Sequence, residues 1–369
     1  MMLKKLASGL ALVALAVGWI AFSGSLAAHA AATRTAAKAG WQVHNVLRLT
    51  STVWNVAVDP AASVAYEMVT AKPGSGRPFR LERISLATHA VRRGPLFEAA
   101  GMLPAAGYLW VYGPVTYPDF VAQLVLYQVN PLTLAVVRSW VLSPRNAASF
   151  KPEWVTAGPR DSVWIGYLRT LRRISVRTGK TLARVRLPAT LYAGDISVDP
   201  TGRYLYEAGT AADGSTYVAE YSAGTGRELL AATDVLPSNA GSEITAVPGG
   251  VWASYRYEKT GPAFDGKTIL LTQRQLTVVT PSAALFRWQM NVTTLYAGDR
   301  LWLGEDYGNL GFGTIGCTLP GGKVVDQGTV PRIGASGTLL AVSASRHLVY
   351  ALGGEGVIGI TPPRSCWGR

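Results

Sequence analysis

A stretch of forty residues, 194–233, carries the pattern that most restricts how this chain can fold. Its apolar and alternating runs have the length of short β-strands and lie at 196–198, 204–207, 217–221 and 229–232. The segments between them are rich in turn residues, namely Asp199-Pro200-Thr201-Gly202, Asp213-Gly214 and Gly224 to Gly226. The stretch therefore reads as a complete unit of four antiparallel strands.

An aromatic residue in the second strand marks the same unit seven times along the chain. The markers are Tyr66, Trp110, Trp164, Tyr206, Trp252, Trp302 and Tyr350. Their spacing averages about 47 residues, and a β-propeller blade typically takes roughly 40 to 50. We therefore predict one all-β domain, a seven-bladed β-propeller over residues 41–369. An ordinary β-sandwich is the alternative, although a sandwich needs no sevenfold repeat of an aromatic residue after a turn.

The two ends of this region complement each other. Residues 41–49 alternate like a strand, but no blade precedes them. The seventh unit has only three strands, near 339–343, 348–352 and 357–360, before Pro362 and Pro363 intervene. We predict that the N-terminal strand completes blade seven and closes the ring, because closure removes the exposed strand edges of an open array.

Residues 1–30 have the features of a secretory signal peptide. Lys4 and Lys5 precede an apolar run from Leu6 to Phe22, and Ala28-His29-Ala30 fits a cleavage site. Residues 31–40 form a small-residue linker. The alternative is an uncleaved membrane anchor, since the apolar run of 17 residues is at the short end of what spans a bilayer. We expect a secreted or otherwise extracytoplasmic protein.

The two cysteines, Cys317 and Cys366, fall in units six and seven. An oxidising compartment permits a disulfide, which would tie the C-terminal segment to blade six. Two separate thiols are the alternative. Metal binding by these cysteines is not expected, because the sequence has neither a CxxC motif nor a nearby pair of histidines.

The chain is strongly basic, with a net charge of +13, or +11 without Lys4 and Lys5. Such a charge favours attraction to anionic cell-envelope polymers or lipid headgroups, although a basic, solvated surface is the simpler interpretation. Nucleic acid is not expected as a partner, because no basic run is interleaved with aromatic residues. The partner is expected to be an unknown protein or a glycan, and the protein to be a monomer.

Polar residues recur at the predicted start of the innermost strands, about eleven positions before the marker aromatic residue. They are Asn55, Glu153, Asp195, Glu243 and Asn291. Because the first strands of a propeller line the central channel, we predict that these side chains form a polar, acidic collar that binds a ligand. Their oxygen atoms suit a divalent cation or a polyhydroxylated ligand. The alternative is that they cap the strands and bond neighbouring blades. No catalytic residue is predicted.

The runs GDISVDPTGRYLYEAG (194–209), TGRELLAAT (225–233) and SVRTGKTLARVRLP (175–188) resemble the propeller repeats of the YVTN and NHL types. The resemblance covers about seven units and extends loosely to WD-repeat-like and quinoprotein-like propellers, although no quinone-site residues can be matched. LWLGEDYGN (301–309) resembles a repeat of the streptogramin lyases. That family implies metal-assisted elimination by His and Glu at the channel mouth, but the collar has no His, so the activity does not carry over.

These observations favour an exported propeller that acts as a binding or scaffold module. The alternative is a metal-assisted lyase or lactonase-type hydrolase that uses the acidic collar. The cofactor is not identified by the sequence, and a divalent cation at the channel mouth is the candidate that the collar suggests.

Overall fold

A computed structural model describes the part of the chain that forms the domain. The described residues are 40–49, 53–71, 78–98, 101–116, 122–143, 154–188, 191–211, 216–233, 242–258, 264–279, 291–306, 312–331, 339–353 and 356–367. The predicted signal segment 1–30, nearly all of the linker 31–40 and the collar residue Glu153 lie outside these ranges.

Within these ranges the strands form seven four-stranded antiparallel sheets, the blades of a β-propeller. Strands are numbered in chain order. The first strands of blades one to seven are β2 (Val53–Asp59), β6 (Gly101–Ala105), β10 (Trp154–Gly158), β14 (Leu191–Val198), β18 (Ser242–Val247), β22 (Asn291–Ala297) and β26 (Leu339–Ser343). The second strands are β3 (Val64–Thr70), β7 (Tyr108–Thr116), β11 (Ser162–Tyr167), β15 (Tyr204–Ala211), β19 (Gly250–Glu258), β23 (Arg300–Asp306) and β27 (Leu348–Gly353).

The remaining strands lie further from the ring axis. The third strands are β4 (Phe79–Ser85), β8 (Ala122–Val129), β12 (Thr170–Ser175), β16 (Thr216–Ser222), β20 (Phe264–Thr272), β24 (Phe312–Thr318) and β28 (Gly356–Thr361). The outer strands are β5 (Val91–Phe97), β9 (Val136–Val141), β13 (Thr181–Arg186), β17 (Glu228–Thr233), β21 (Val278–Val279), β25 (Val324–Pro331) and, in blade seven, β1 (Gln42–Arg48). A short 3-10 helix, Arg364–Trp367, follows β28.

The ring is closed in the way the sequence predicts. Neighbouring first strands contact each other all the way round, and β26 contacts β2. In blade seven, β1 pairs antiparallel with β28, with Gln42 opposite Thr361 and Arg48 opposite Gly356. The N-terminal strand therefore supplies the outer strand that the last unit lacks. The described part of the chain contains no apolar helix long enough to cross a bilayer.

The aromatic markers recur because each is buried between its own blade and the next. All seven marker side chains are at most 1% exposed. The indole of Trp164 donates a hydrogen bond to the carbonyl of Ala223 in blade four, and Trp252 does the same to Pro320 in blade six, each at 3.0 Å. The indoles of Trp110 and Trp302 instead donate to carbonyls of their own blades, those of Ala105 and Ala297, each at 3.0 Å. A large ring at this position therefore fills the core in every blade, and in blades three and five it also bonds the next blade.

The residue opposite the marker on the third strand also anchors the next blade. In blade two, Gln128 donates to the carbonyl of Val176 at 2.9 Å. In blade three, Arg173 donates to the carbonyl of Gly224 at 2.7 Å. The corresponding residue of blade four is Glu220, whose carboxylate accepts the backbone N–H of Arg274 in blade five at 3.0 Å. Each of these bonds ends on the turn between the third and outer strands of the next blade.

In blade six the same position holds Cys317, which lies opposite Trp302 and forms a disulfide with Cys366. Their Cα atoms are 5.7 Å apart, so the predicted disulfide is confirmed. Blade seven has no turn between its third and outer strands, because β28 and β1 come from opposite ends of the domain. Cys366 occupies the place of that turn, and a covalent bond replaces the hydrogen bond found between earlier blades.

Candidate functional site

One face of the ring carries the turns that join first to second strands and third to outer strands, because strands alternate in direction. We call these described turns the turn face; they are 60–63, 86–90, 106–107, 130–135, 159–161, 176–180, 199–203, 223–227, 248–249, 273–277, 298–299, 319–323 and 344–347. Eight exposed basic side chains lie in them, namely Arg160, Arg177, Lys180, Arg203, Arg227, Arg274, Lys323 and Arg346. Only two exposed acidic side chains, Asp161 and Asp299, lie in the same turns. This face is therefore a strongly positive surface.

A cleft of about 440 Å³ opens on the turn face between blades four and five. It is lined by Arg203, Tyr204, Glu220, Ser222, Arg227, Leu229, Leu230 and Arg274. Three of the eight exposed basic residues thus surround one cavity. A volume of this size is in the range of small-ligand sites.

Arg203 is placed by a tight turn that Asp199 holds together. The buried Asp199 carboxylate accepts the backbone N–H groups of Arg203 and Tyr204, each at 2.7 Å, and that of Thr201 at 3.0 Å. These bonds hold the backbone of the turn that contains Pro200 and Gly202, and so fix where Arg203 stands, directly before β15.

Arg227 follows a turn in which a glycine is required. Gly226 has a φ of 75°, and a Cβ atom there would lie 3.0 Å from Val185 and 3.1 Å from Trp164 of blade three. The Gly226 N–H donates to the carbonyl of Ser222 at 2.7 Å, and the Ser222 N–H donates to that of Arg227 at 2.8 Å. The turn is thus packed against the preceding blade, and Arg227 is held beside the cleft.

Arg274 comes from blade five and has the left-handed backbone conformation, with a φ of 64°. That conformation is uncommon for residues other than glycine and needs support from its surroundings. Its backbone N–H donates to Oε2 of the buried Glu220 at 3.0 Å, and its guanidinium donates to the Tyr204 hydroxyl at 3.2 Å. Guanidinium groups bind carboxylates and phosphates through paired hydrogen bonds, so three of them around one cavity suit an anionic group.

The predicted collar is only partly described, and two of its residues meet. Asp195 on β14 accepts the backbone N–H of Ile244 at 2.6 Å and that of Ile196 at 2.8 Å. Because Ile244 follows Glu243, the Asp195 carboxylate lies beside the exposed Glu243. Burial raises the pKa of Asp195, the amide bonds act in the opposite direction, and the negative charge of Glu243 raises it further.

Side chains on neighbouring first strands make further bonds between blades. Ser197 Oγ accepts the N–H of Ala246 at 2.9 Å, and Thr245 Oγ1 lies 2.7 Å from Thr294 Oγ1. Asp195 makes the same kind of connection between blades four and five, which corresponds to the capping alternative for the collar.

Among the described residues, the other members of the collar do not come together into a set of ligands. Asn55 is half-buried on β2, Asn291 begins β22 opposite Asp306, and Glu153 is outside the described residues. Within the ranges given above, no three His, Cys, Asp or Glu side chains cluster so as to hold a metal ion. The ligand-binding role of the collar stays a prediction.

A buried acid lies inside blade four. Glu207 accepts the hydroxyl of Tyr217 at 2.6 Å and that of Tyr221 at 3.2 Å. Burial raises the pKa of Glu207 from its usual 4.5 to about 7, against the effect of these bonds and of the Gly194 N–H. The two tyrosines are buried as well, and burial raises the pKa of each.

The cleft residues Arg203, Arg227, Arg274 and Glu220 are not among the site residues predicted from the sequence. The sequence does contain one signal for Glu220. Gln128, Arg173 and Glu220 hold equivalent positions in their repeats, each five residues before a threonine in the turn that follows the third strand of the same blade. The convergence of the arginines depends on how two blades face each other, which no local pattern encodes.

No protein-family model matches the chain, and no curated protein matches it. Among solved structures, BamB from Moraxella catarrhalis is 17% identical with a TM-score of 0.51, covering 83% of this chain and 81% of its own. Hydrazine synthase from Kuenenia stuttgartiensis is 10% identical with a TM-score of 0.59, covering 86% and 97%. A chain of the mitotic checkpoint complex is 8% identical with a TM-score of 0.55, covering 87% and 93%. At these identities the likeness shows the fold alone, a β-propeller.

Proposed function

We propose that this protein is an extracytoplasmic binding scaffold that engages an anionic polymer of the cell envelope through its turn face. The observation that carries the proposal is the excess of eight exposed basic over two exposed acidic side chains in the described turns, with three arginines around one cleft. A face of one sign raises the local concentration of oppositely charged partners and speeds their association.

Two features support a location outside the cytoplasm. Residues 1–30 have the composition of an export signal, and Cys317 and Cys366 form a disulfide, a bond that persists in oxidising compartments. The metal-assisted lyase or lactonase alternative stays a prediction, because none of the described contacts favours it.

The proposal is tested by matched charge reversals. In the face variant, Arg203, Arg227 and Arg274 are replaced by Glu. In the control variant, Arg92, Arg184 and Arg186, exposed on the outer strands β5 and β13, are replaced by Glu, so both variants have the same net charge. Binding is measured by elution from immobilised heparin in a salt gradient, after each variant's melting curve has been compared with that of the wild type.

We expect the face variant to elute at much lower salt than the wild type and the control variant to elute close to the wild type. Equal losses in the two variants would mean that net charge alone is responsible and would refute the proposal. The same proteins are also mixed with vesicles containing anionic phospholipid. Binding to vesicles without retention on heparin would assign the face to a membrane surface and would also refute it.

A further inference from the structure

The floor of the cleft holds an acceptor that the arginines do not satisfy. Glu220 is 1% exposed, and its Oε2 accepts the N–H of Arg274. Its Oε1 is buried and accepts no hydrogen bond of normal geometry from the described residues. Leaving a buried acceptor without a donor is unfavourable, and a buried charged one especially so. A ligand that brings a donor to this carboxylate would remove that cost.

The nearby Tyr206 lies opposite Glu220 on the second strand. Burial raises the pKa of Tyr206, and both the negative charge of Glu220 and a hydrogen-bond contact with its carboxyl group add to this effect. Tyr206 therefore keeps its proton over the physiological pH range, and its hydroxyl is a donor beside Glu220 that does not reach Oε1 with normal hydrogen-bond geometry.

The cleft therefore presents three different chemistries. Three guanidinium groups at its edge attract a negative charge, and the Glu220 carboxylate at its floor needs a hydrogen-bond donor. Leu229, which is 38% exposed, and Leu230 form an apolar wall on β17. A simple anion would use only the arginines and would be repelled by Glu220, and a simple cation would be repelled by the arginines.

We infer that the cleft binds an acidic sugar unit, with its anionic group among Arg203, Arg227 and Arg274, a hydroxyl donated to Glu220, and a C–H face against Leu229. This inference rests on the proposed function, since it names the chemical class of the polymer unit that the turn face engages. Carboxylated and phosphorylated sugars share this chemistry.

Five probes separate the contributions, and their binding is measured by isothermal titration calorimetry on the whole protein. Trigalacturonate carries three carboxylates and many hydroxyls, tricarballylate carries three carboxylates and no hydroxyl, and maltotriose carries hydroxyls and no charge. Glucose 6-phosphate, compared with glucuronate, distinguishes a phosphate from a carboxylate source. We expect trigalacturonate to bind about tenfold more tightly than tricarballylate or maltotriose, the factor that one charge-assisted hydrogen bond supplies.

The decisive variant is Glu220→Gln. Its amide oxygen can still accept the Arg274 N–H, which leaves the NH₂ group, a donor, where Oε1 stands. We expect the preference for trigalacturonate over tricarballylate to fall about tenfold, with tricarballylate bound at least as well as before. The control is Glu228→Gln, an exposed glutamate on β17 outside the cleft lining, which should leave the preference unchanged. If Glu220→Gln does not fold, Leu229→Ser is used instead, because it alters an exposed side chain. We expect Leu229→Ser to weaken the binding of trigalacturonate and to leave the binding of tricarballylate unchanged.

Equal binding of trigalacturonate and tricarballylate by the wild type would overturn the inference, as would an unchanged preference in Glu220→Gln, or in Leu229→Ser where that variant is used. The proposed function fails separately, when charge reversal of the three arginines leaves heparin binding as strong as in the control variant.

Discussion

Cys317, in the third strand of blade six, is joined by a disulfide to Cys366, which follows the third strand of blade seven. Comparable positions in blades two, three and four hold Gln128, Arg173 and Glu220, each hydrogen-bonded to the turn of the next blade. The covalent link therefore stands at the one junction where the chain itself does not connect the third and outer strands.

Removing this disulfide should destabilise the protein without changing its fold. The bond closes a loop of 49 residues, for which the chain-entropy estimate is about 4 kcal/mol of unfolding free energy. We expect the double variant Cys317→Ala/Cys366→Ala, and the reduced wild type, to unfold at clearly lower urea concentrations. An unchanged midpoint in the double variant would show that the interface between blades six and seven does not depend on the bond.

The buried guanidinium of Arg173 should stabilise the interface between blades three and four, as the disulfide does between blades six and seven. It donates to Ser162 Oγ at 2.8 Å and to the carbonyls of Gly224 and Pro159 at 2.7 Å each, and burial lowers its pKa. Arg173→Met removes all three bonds and leaves the Gly224 carbonyl without this donor, while the Pro159 carbonyl keeps the Ser162 hydroxyl. The variant should lose about 3 kcal/mol of unfolding free energy, measured in urea. Arg184→Met, on the exposed side of β13, is the control and should be nearly neutral. Similar losses in both variants would contradict the role given to Arg173.

Stability should fall as the pH rises through the pKa of Glu207. Because its folded pKa of about 7 exceeds the usual 4.5, the folded protein keeps a proton that the unfolded chain has released between these values. The free energy of unfolding should thus be highest below about pH 4.5 and lower by about 3 kcal/mol above pH 7, from this group alone.

The pKa of Glu67 in blade one is also raised, to about 7, because the side chain is buried and lies near the negative charge of Glu82. Glu207→Gln should therefore reduce the pH dependence without abolishing it, as measured by urea unfolding between pH 4 and 8. Asp161→Asn, which changes an exposed acid of blade three that is not among the groups shifting the pKa of Glu207, is the control. A slope as steep in Glu207→Gln as in the wild type would show that Glu207 is not the titrating group.

Trp41 should be needed to hold the closing strand. It is 2% exposed and packs on Gly328, where a Cβ atom would lie 2.5 Å from the indole ring. Trp41→Ala should cost about 3 kcal/mol and accelerate amide hydrogen exchange in β1 and β28. Trp54→Ala removes a ring that is 49% exposed and should cost far less. Unchanged exchange in β28 after loss of Trp41 would contradict this role.

The sequence predicts the fold well because its signals are local and repeated. The aromatic markers from Tyr66 to Tyr350 fix the number of blades, since one ring per blade is buried against the next. The pairing of β1 with β28 follows from a surplus strand at one end and a missing strand at the other. The disulfide follows from the presence of only two cysteines, in adjacent blades.

The candidate site was much less predictable. Arg203, Arg227 and Arg274 lie in three turns of two blades, and only the stacking of those blades brings them to one cavity. For Asp195, the sequence indicates where the residue lies but not what it bonds. Its place on an innermost strand was predictable, but β14 begins four residues earlier, at Leu191, and the bond of Asp195 to the Ile244 amide depends on the strand beside it.

The pairing of β1 with β28 also sets the order in which the molecule can assemble. Blades one to six can form as their own consecutive segments become available, whereas blade seven must wait for the final strand of the domain while its outer strand, made first, stays unmatched. Joining segments this far apart in the chain is entropically slow, so ring closure should be the last event of folding. Oxidation of Cys317 and Cys366 would then lock the finished circle.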